Sequence, residues 1–196
     1  MIKTIKHILG VLVAIMAMSG LTSCNYNSLV EKQQDVDQAW AQVENQYQRR
    51  ADLIPNLVNT VKGYASHESQ TLERVTEARA KATSITIDPE NLDEETLAKY
   101  QAAQNELSSA LKSLLAVQEA YPDLKANENF MNLQSQLEGT ENRISTERMR
   151  YTEAVRDYNT AIKKFPTTIY AGWFGFSPKP QFKAEAGAEK APEVNF

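Results

Sequence analysis

Apolar side chains recur at intervals of three and four residues along most of the chain, which is the spacing of a helix with one buried face. Between Leu29 and Ala82 the pattern follows a heptad repeat in two registers. The positions are Leu29, Val36, Val43, Arg50, Leu57, Tyr64, Thr71 and Ala78, and Gln33, Trp40, Tyr47, Ile54, Val61, Glu68, Val75 and Ala82. Twelve of the sixteen are apolar or aromatic, whereas the 42% hydrophobic content of the chain would supply about seven. The repeat predicts one helix of about 54 residues.

Pro55 lies inside this repeat, where a proline removes a backbone hydrogen bond and clashes with the preceding turn. The apolar repeat nevertheless keeps its phase on both sides of Pro55. We therefore predict a long first helix that is kinked near Pro55, rather than a reversal of the chain there.

Two further long helices are predicted. Residues 84–96 interrupt the repeat, and Asp93 is placed to cap a second helix with an acidic first turn, over about residues 94–120. A turn around Pro122 follows. A third helix of about 38 residues is then predicted, because an apolar or aromatic residue occupies every seventh position. These residues are Phe130, Leu137, Ile144, Tyr151, Tyr158 and Phe165.

Short connections between long helices require antiparallel neighbours, so we predict an all-α fold, an elongated antiparallel helical bundle over residues 29–165. The three helices would measure about 81, 40 and 57 Å at about 1.5 Å per residue. Part of the first helix's apolar stripe would lack a partner within the chain unless the helix bends, the tail covers it, or another chain does. Self-association is therefore a hypothesis.

Charged residues occupy the middle of the predicted seams, and two interpretations remain open. They are Arg50, Glu68, Glu141 and Arg148. The side chains could extend to a solvated edge of the bundle, as long charged side chains commonly do. Alternatively, they form an internal ionic network that sets the register between antiparallel helices.

Residues 166–196 are predicted to form a non-helical tail, because prolines and glycines are concentrated in its first part. Its aromatic residues are Tyr170, Trp173, Phe174, Phe176 and Phe182. Such side chains must be covered, either by packing on the bundle or by a partner or lipid surface. After Lys183 the sequence is rich in Ala, Glu and Pro, and we expect disorder there.

Residues 1–23 have the features of a cleaved signal peptide. Two lysines precede an apolar run over residues 8–18, which as a helix of about 17 Å is too short for the ~30 Å apolar core of a bilayer. Residues 21–24, Leu-Thr-Ser-Cys, look like a bacterial lipobox. Cys24 would then carry diacylglycerol and fatty acyl groups, with residues 24–28 as a lipidated tether.

Composition and charge argue against several classes of function. The net charge of −4 becomes −6 once residues 1–23 are removed, and no run of five basic residues occurs, which argues against nucleic-acid binding. Cys24 is the only cysteine, so an intrachain disulfide is impossible. The mature chain has one histidine, His67, whereas a di-iron bundle site needs two Glu-x-x-His motifs. We expect His67 on the surface, and no metal or cofactor.

Motifs of common enzymes are also missing from the sequence. There is no Gly-x-Ser-x-Gly, no glycine-rich phosphate loop and no His-Glu-x-x-His, and paired catalytic carboxylates cannot be identified. We therefore expect a protein that is not an enzyme, with no small-molecule substrate.

Six segments of the mature chain resemble the LemA family, in order and over nearly its whole length. They are residues 26–30 (YNSLV), 35–68, 75–82, 121–144, 151–166 and 172–176 (GWFGF). The resemblance implies an elongated antiparallel bundle held at a membrane of the bacterial cell envelope, with its bulk outside the cytoplasm. Family members usually carry an N-terminal transmembrane anchor, which the lipobox would replace here.

The resemblance also implies a role in envelope scaffolding or quality control. Genes for members often neighbour a membrane metalloprotease or proteins with a so-called TPM domain, and one relative is linked to magnetosome membrane formation. These associations are analogies, and the family supplies a placement and a fold rather than a reaction.

Two surfaces are candidates for binding a partner. One surrounds Pro55, whose ring frees a backbone carbonyl one turn back, and the other is aromatic. The first consists of Arg49, Arg50, Asp52, Pro55, Asn56 and Lys62, and the second of Trp173, Phe174 and Phe176. A purely structural role, in a kink and in packing, is the alternative for both.

Together these observations predict a lipid-anchored envelope protein that acts without catalysis, as a scaffold or adaptor. Its protein partner would be a second copy of itself or a membrane protease. One alternative is an accessory subunit that presents substrates to such a protease. Another is a hydrolase whose site the sequence does not reveal.

The lipid anchor can be tested by intact-mass spectrometry of the protein extracted from membranes. We expect the mass of residues 24–196 plus that of the attached acyl groups, because cleavage follows modification of the cysteine. A Cys24 thiol without lipid would contradict this prediction.

Overall fold

The structure is a computed structural model that describes the backbone of residues 2–183 and the side chains of residues 26–183. The elements are α1 (Ile2–Tyr64), α2 (Ser69–Ser84), α3 (Glu94–Ala116), a 3-10 turn (Val117–Ala120), α4 (Pro122–Lys125), α5 (Glu128–Lys163), α6 (Thr167–Tyr170) and a second 3-10 turn (Ala171–Phe174). The predicted all-α fold is confirmed. Within the described residues, no helix is long and apolar enough to cross a membrane.

Three of the predictions concern parts of the chain outside this description. The side chain of Cys24, with its lipid, lies outside the described side chains, as does the signal peptide. The end of the chain after Lys183 is likewise outside the described residues. These three remain predictions.

The predicted single helix from Leu29 to Ala82 is wrong. Helix α1 passes through Pro55 without reversing, but it ends at Tyr64, directly after Gly63, a weak helix former. A turn at Ala65–Glu68 reverses the chain, and α2 returns along α1. The heptad repeat keeps its phase across this turn because the four turn residues are about as many as one turn of helix contains. The repeat in the sequence is also the same whichever direction a helix runs.

Helices α3 and α5 confirm the other two predicted helices. The Asp93 carboxylate caps α3, accepting a hydrogen bond from the Thr96 amide at 2.6 Å. Asn127 caps α5 in the same way, accepting from the Phe130 amide at 2.9 Å. The seventh-position series on α5 is buried up to Tyr158, but Phe165 is 81% exposed. Helix α5 ends at Lys163, so Phe165 lies beyond the helix and is not part of the seam. The Phe165–Pro166 peptide bond is cis.

The predicted non-helical tail is also partly wrong. It contains the single turns of α6 and of the second 3-10 segment before becoming extended. Gly175 ends this segment with φ at 82°, a left-handed backbone conformation that residues other than glycine rarely adopt. Its amide donates a hydrogen bond to the Gly172 carbonyl.

The apolar core consists of two clusters that follow each other along α1. The proximal cluster, at the end nearest Tyr26, includes Leu29, Val36, Trp40, Tyr47, Tyr100, Ile144, Tyr151, Tyr158 and Phe176. The distal cluster includes Ile54, Leu57, Val61, Leu72, Val75, Leu107, Leu111, Leu114, Phe130 and Leu137. Helix α1 is therefore covered within the chain, by α5 on one side and by α2 or the tail on another. The apolar stripe of α1 from Leu29 to Val61, which motivated self-association, thus has its partners within the described part of the chain.

Arg50 lies between the two clusters and is only 1% exposed. Its Nη1 donates to Glu141 Oε1 on α5 and to Ser108 Oγ on α3, both at 2.6 Å. Its Nη2 donates to the Gln104 side-chain oxygen at 2.5 Å, and the guanidinium stacks 5.1 Å from the Tyr47 ring centre. For Arg50 the solvated-edge interpretation is wrong, and the internal ionic network is confirmed.

The other seam charges lie at partly exposed positions and have partners. Glu68 accepts a hydrogen bond from the Tyr121 hydroxyl at 3.1 Å, in the turn between α1 and α2. The Arg148 guanidinium lies over the Phe182 ring at 4.6 Å, which joins α5 to the tail. Burial raises the pKa of the Tyr47 phenol, against the opposing effect of Arg148 and Arg50.

We expect the substitution Glu141→Leu to lower the free energy of unfolding by about 2 kcal/mol, because it leaves the buried Arg50 guanidinium without its carboxylate. The double substitution Arg50→Met, Glu141→Leu should recover most of that loss, because no buried charge remains. Urea unfolding followed by circular dichroism measures both. As a control, Lys81→Met breaks the exposed Lys81–Glu106 pair and should cost below about 0.5 kcal/mol. Equal losses at the two sites would contradict the role assigned to Arg50.

Candidate partner-binding site

The candidate residues around Pro55 divide between the two sides of α1. The side chains that follow the apolar stripe face inward, so Arg50 is buried in the ionic network and is not available to a partner. The remaining candidates are exposed on the opposite face, and they are Arg49, Asp52, Pro55, Asn56 and Lys62. Asp52 accepts a hydrogen bond from the Gln48 amide at 2.7 Å within the same face.

The backbone carbonyl that Pro55 frees already has a partner within the chain. Pro55 has no amide hydrogen to donate to the Ala51 carbonyl one turn back. The Arg79 guanidinium on α2 occupies that position, with its Nε donating to the Ala51 oxygen at 2.8 Å. The freed carbonyl therefore fastens α2 to α1, and it is not part of a partner surface.

A groove lies between α1 and α5 at the distal end of the molecule, and Asn56 is the sequence-predicted residue that reaches it. The groove has a volume of about 390 Å³. It is lined by Asn56, Asn59, Thr60, Asn129, Asn132, Leu133 and Gln136. Five of these seven side chains are amides and none carries a charge. Inside the groove the Gln136 amide donates to the Asn132 side-chain oxygen at 2.7 Å.

The composition of this groove is unfavourable for helix stability. Asparagine ranks well below glutamate, lysine or glutamine as a helix former, because its side chain competes for backbone hydrogen bonds. Yet α1 places Asn56 and Asn59 here, and α5 places Asn129 and Asn132 here. Each amide offers both donors and an acceptor. Sequence reasoning missed the groove because it forms only when two distant segments lie side by side.

The predicted aromatic surface of the tail divides in a similar way. Phe176 is 8% exposed and packs in the proximal cluster, so it belongs to the core. Phe182 stacks on Trp40 with ring centres 6.0 Å apart and meets the Tyr151 ring edge-on. In contrast, Trp173 is 81% exposed and Phe174 is 60% exposed. The alternatives of packing and exposure are therefore both realised, by different residues.

Lys179 holds the extended tail in place, a role that the sequence did not reveal. Although it is charged, Lys179 is 7% exposed. Its Nζ donates to the carbonyls of Pro89 and Glu90 in the loop before α3, and its amide donates to the Asn159 side chain at 2.9 Å. Nearby, burial raises the pKa of the Asp37 carboxyl, and Lys179 partly opposes the shift. The prolines at 178 and 180 were the only signal of an extended segment.

The described residues do not assemble a catalytic constellation that we can identify. His67 is exposed in the turn between α1 and α2, as expected. Within the described part of the chain, no three His, Cys, Asp or Glu side chains group where they could hold a metal ion. The exposed surface in this part of the chain carries amide side chains at the distal end and aromatic side chains at the proximal end.

Comparison with known proteins extends this picture. A sequence model of the LemA family matches residues 39–196. Protein LemA of Metamycoplasma hominis is 24% identical over 147 residues, which are 75% of this chain and 60% of that protein. Magnetosome protein MamQ 2 of Paramagnetospirillum magneticum is 24% identical over 193 residues, 90% of this chain and 71% of that protein. Magnetosome protein MamQ of Magnetospirillum gryphiswaldense is 24% identical over 168 residues, 77% and 62% of the two chains. The chain thus spans 60% to 71% of the length of these relatives.

The contact between Arg79 and the Ala51 carbonyl yields a prediction about Pro55. We expect Arg79→Met to lower the free energy of unfolding by about 1.5 kcal/mol, because the carbonyl loses a charged donor. In a Pro55→Ala background the same substitution should cost much less, since the alanine amide can donate to that carbonyl instead. Urea unfolding of the four proteins in this cycle measures the coupling. Identical costs of Arg79→Met in both backgrounds would contradict the explanation.

Proposed function

The chain belongs to the LemA family, and from that membership we propose that it is a membrane-anchored protein of the cell envelope. It acts without catalysis, as a scaffold or adaptor that holds a partner protein at a fixed distance from the membrane. The likeness to relatives named as magnetosome proteins supports a place among membrane-associated proteins.

The anchor in this proposal is lipid on Cys24. The lipobox-like residues 21–24 support it, as does the absence of a second cysteine in the sequence. Two or three acyl chains hold a protein at a membrane far more firmly than one. The bulk of the chain then lies outside the cytoplasm, and its proximal end is closest to the lipid.

The observation that carries the adaptor role is the amide groove at the opposite end. Asn56 lies 30 residues after Tyr26 on the same helix, which places the groove about 45 Å from the proximal end. Exposed charged residues on the same helices, such as Lys62, lie outside its lining. An uncharged lining of hydrogen-bond donors and acceptors suits the main chain of an extended peptide. The peptide's amides and carbonyls lose hydrogen bonds to water on binding, and the side-chain amides of the groove can replace them.

The partner in this proposal is therefore an extended segment of another envelope protein. Recognition through main-chain groups tolerates different side chains, which suits an adaptor that meets more than one protein. Leu133, which is half-buried, is the one apolar residue of the lining. If the partner proves to be a membrane protease, the protein is its accessory subunit and the groove presents or holds a segment for it.

Site-specific photo-cross-linking in intact cells tests the groove. A photoreactive amino acid replaces Asn132 inside the groove, or Asn142 on the same helix outside it. We expect a discrete cross-linked protein at position 132 and little at position 142. Adding Asn59→Asp should reduce the product at position 132 by about tenfold, because a carboxylate loses both amide donors.

Three outcomes have distinct meanings for this proposal. Equal labelling at positions 132 and 142 would contradict a specific groove. Cross-links only to copies of the same chain would make the protein a self-assembling scaffold rather than an adaptor. Turnover of a substrate by the purified protein, abolished by one substitution, would contradict the non-enzymatic role.

A further inference from the structure

Exposed apolar side chains gather at the proximal end of the molecule. Of the nine large hydrophobic residues exposed in the described part of the chain, six lie there. They are Tyr26, Val30, Phe165, Ile169, Trp173 and Phe174. Phe165 and Trp173 are each 81% exposed, in a protein whose core accommodates Trp40 at 1%. Such a patch marks an interaction surface, because water disfavours contiguous apolar area.

Contacts between the tail and α1 hold this patch together. The Tyr26 ring meets Phe174 edge-on, with ring centres 5.3 Å apart, and meets Phe176 at 5.6 Å. Phe174 in turn meets Tyr170 at 6.1 Å. Because Phe176 and Tyr170 are buried, they fix the backbone that presents Trp173 and Phe174 outward. The exposed aromatic side chains are therefore held by residues that are packed in the core.

The patch lies directly beside the part of the chain that reaches the membrane. Tyr26 follows Cys24 by two residues, about 3 Å along a helix axis. The backbone of α1 is continuous from Cys24 into the bundle. Any attachment through these residues brings the patch to the membrane surface.

Basic side chains border the patch. A groove of about 440 Å³ beside it is lined by Lys32, Lys164, Phe165, Ser28 and Asp157, among others. Lys163 is exposed next to Lys164. The Asp157 carboxylate is paired with Arg156 at 3.2 Å, which partly neutralises the acidic side chain in this groove. Aromatic rings with flanking lysines are the side chains that proteins place at the boundary between lipid head groups and acyl chains.

We propose that Phe165, Ile169, Trp173 and Phe174 insert into the head-group boundary of the membrane that anchors the chain, and so fix the bundle on that membrane by its proximal end. An acyl anchor alone restrains position and leaves the bundle free to tilt. A second, rigid contact made by α6 and the following 3-10 turn restrains orientation as well. This inference rests on the proposed membrane anchoring.

Fluorescence of Trp173 tests the contact. The full chain, purified from membranes with its native attachment, is reconstituted into phosphatidylcholine–phosphatidylglycerol vesicles. Some vesicles carry bromine on the acyl chains near the head group, and others near the chain ends. The difference between wild type and Trp173→Phe isolates the Trp173 emission, since the other mature tryptophan, Trp40, is in the core. We expect loss of most of that emission with the shallow bromine, less with the deep one, and protection from iodide.

A relocated reporter is the matched control. Met131 is 48% exposed at the distal end, so the variant Trp173→Phe, Met131→Trp should be quenched by iodide and not by bromolipid. Both substitutions lie at exposed positions and should leave the core intact. Circular dichroism checks that the variants fold alike.

The remaining outcomes separate this inference from the anchoring on which it rests. Protein that floats with the vesicles in a density gradient while Trp173 stays open to iodide would overturn the aromatic contact and leave the anchor standing. Protection of Trp173 from both quenchers would mean that a second copy covers the patch, which also overturns it. Protein that fails to float would contradict the anchoring and the contact together.

Discussion

The buried guanidinium of Arg50 is the constraint on which the alignment of the bundle depends. It belongs to α1, yet its hydrogen bonds go to Gln104 and Ser108 on α3 and to Glu141 on α5. A slip of α5 by one helical turn, about 5.4 Å, would strand the charge in an apolar interior. Apolar contacts tolerate such a slip far better, because apolar side chains recur every three or four residues along a helix and one can replace another. One ionic network thus sets the register that the apolar seams leave open.

The two ends of the molecule are built differently on either side of this network. Beyond it, α1, α2, α3 and α5 and the short α4 surround the distal cluster, and α2 is joined to α1 by the hydrogen bond between Arg79 and the Ala51 carbonyl. Before it, the extended tail takes the place that α2 leaves vacant, with Phe182 against Trp40 and Lys179 on the loop carbonyls. The tail is therefore part of the core at the proximal end. This arrangement explains how the apolar stripe of α1 from Leu29 to Val61 is covered within a single chain.

The functional proposals follow from this polarity. Because the register is fixed, the amide groove formed by α1 and α5 and the aromatic patch formed by α1 and the tail have a constant separation of about 45 Å along α1. A rod that is seated on the membrane at one end and binds an extended segment at the other transmits a defined distance. That property suits a scaffold or adaptor, and it needs no catalytic group.

The sequence by itself determined the helical class, the presence of α3 and α5 and the Asp93 cap, because each depends on spacing and chemistry within a few residues. It also predicts lipid attachment at Cys24, next to the start of the bundle. Only the tertiary structure decided that the chain reverses at Ala65–Glu68, that Arg50 is buried, and that Phe165 and Trp173 are exposed. Only the tertiary structure showed that Asn56 and Asn132 line the same groove. Heptad periodicity is a local property that is the same for a helix running in either direction, whereas burial and neighbourhood depend on which distant segments pack together.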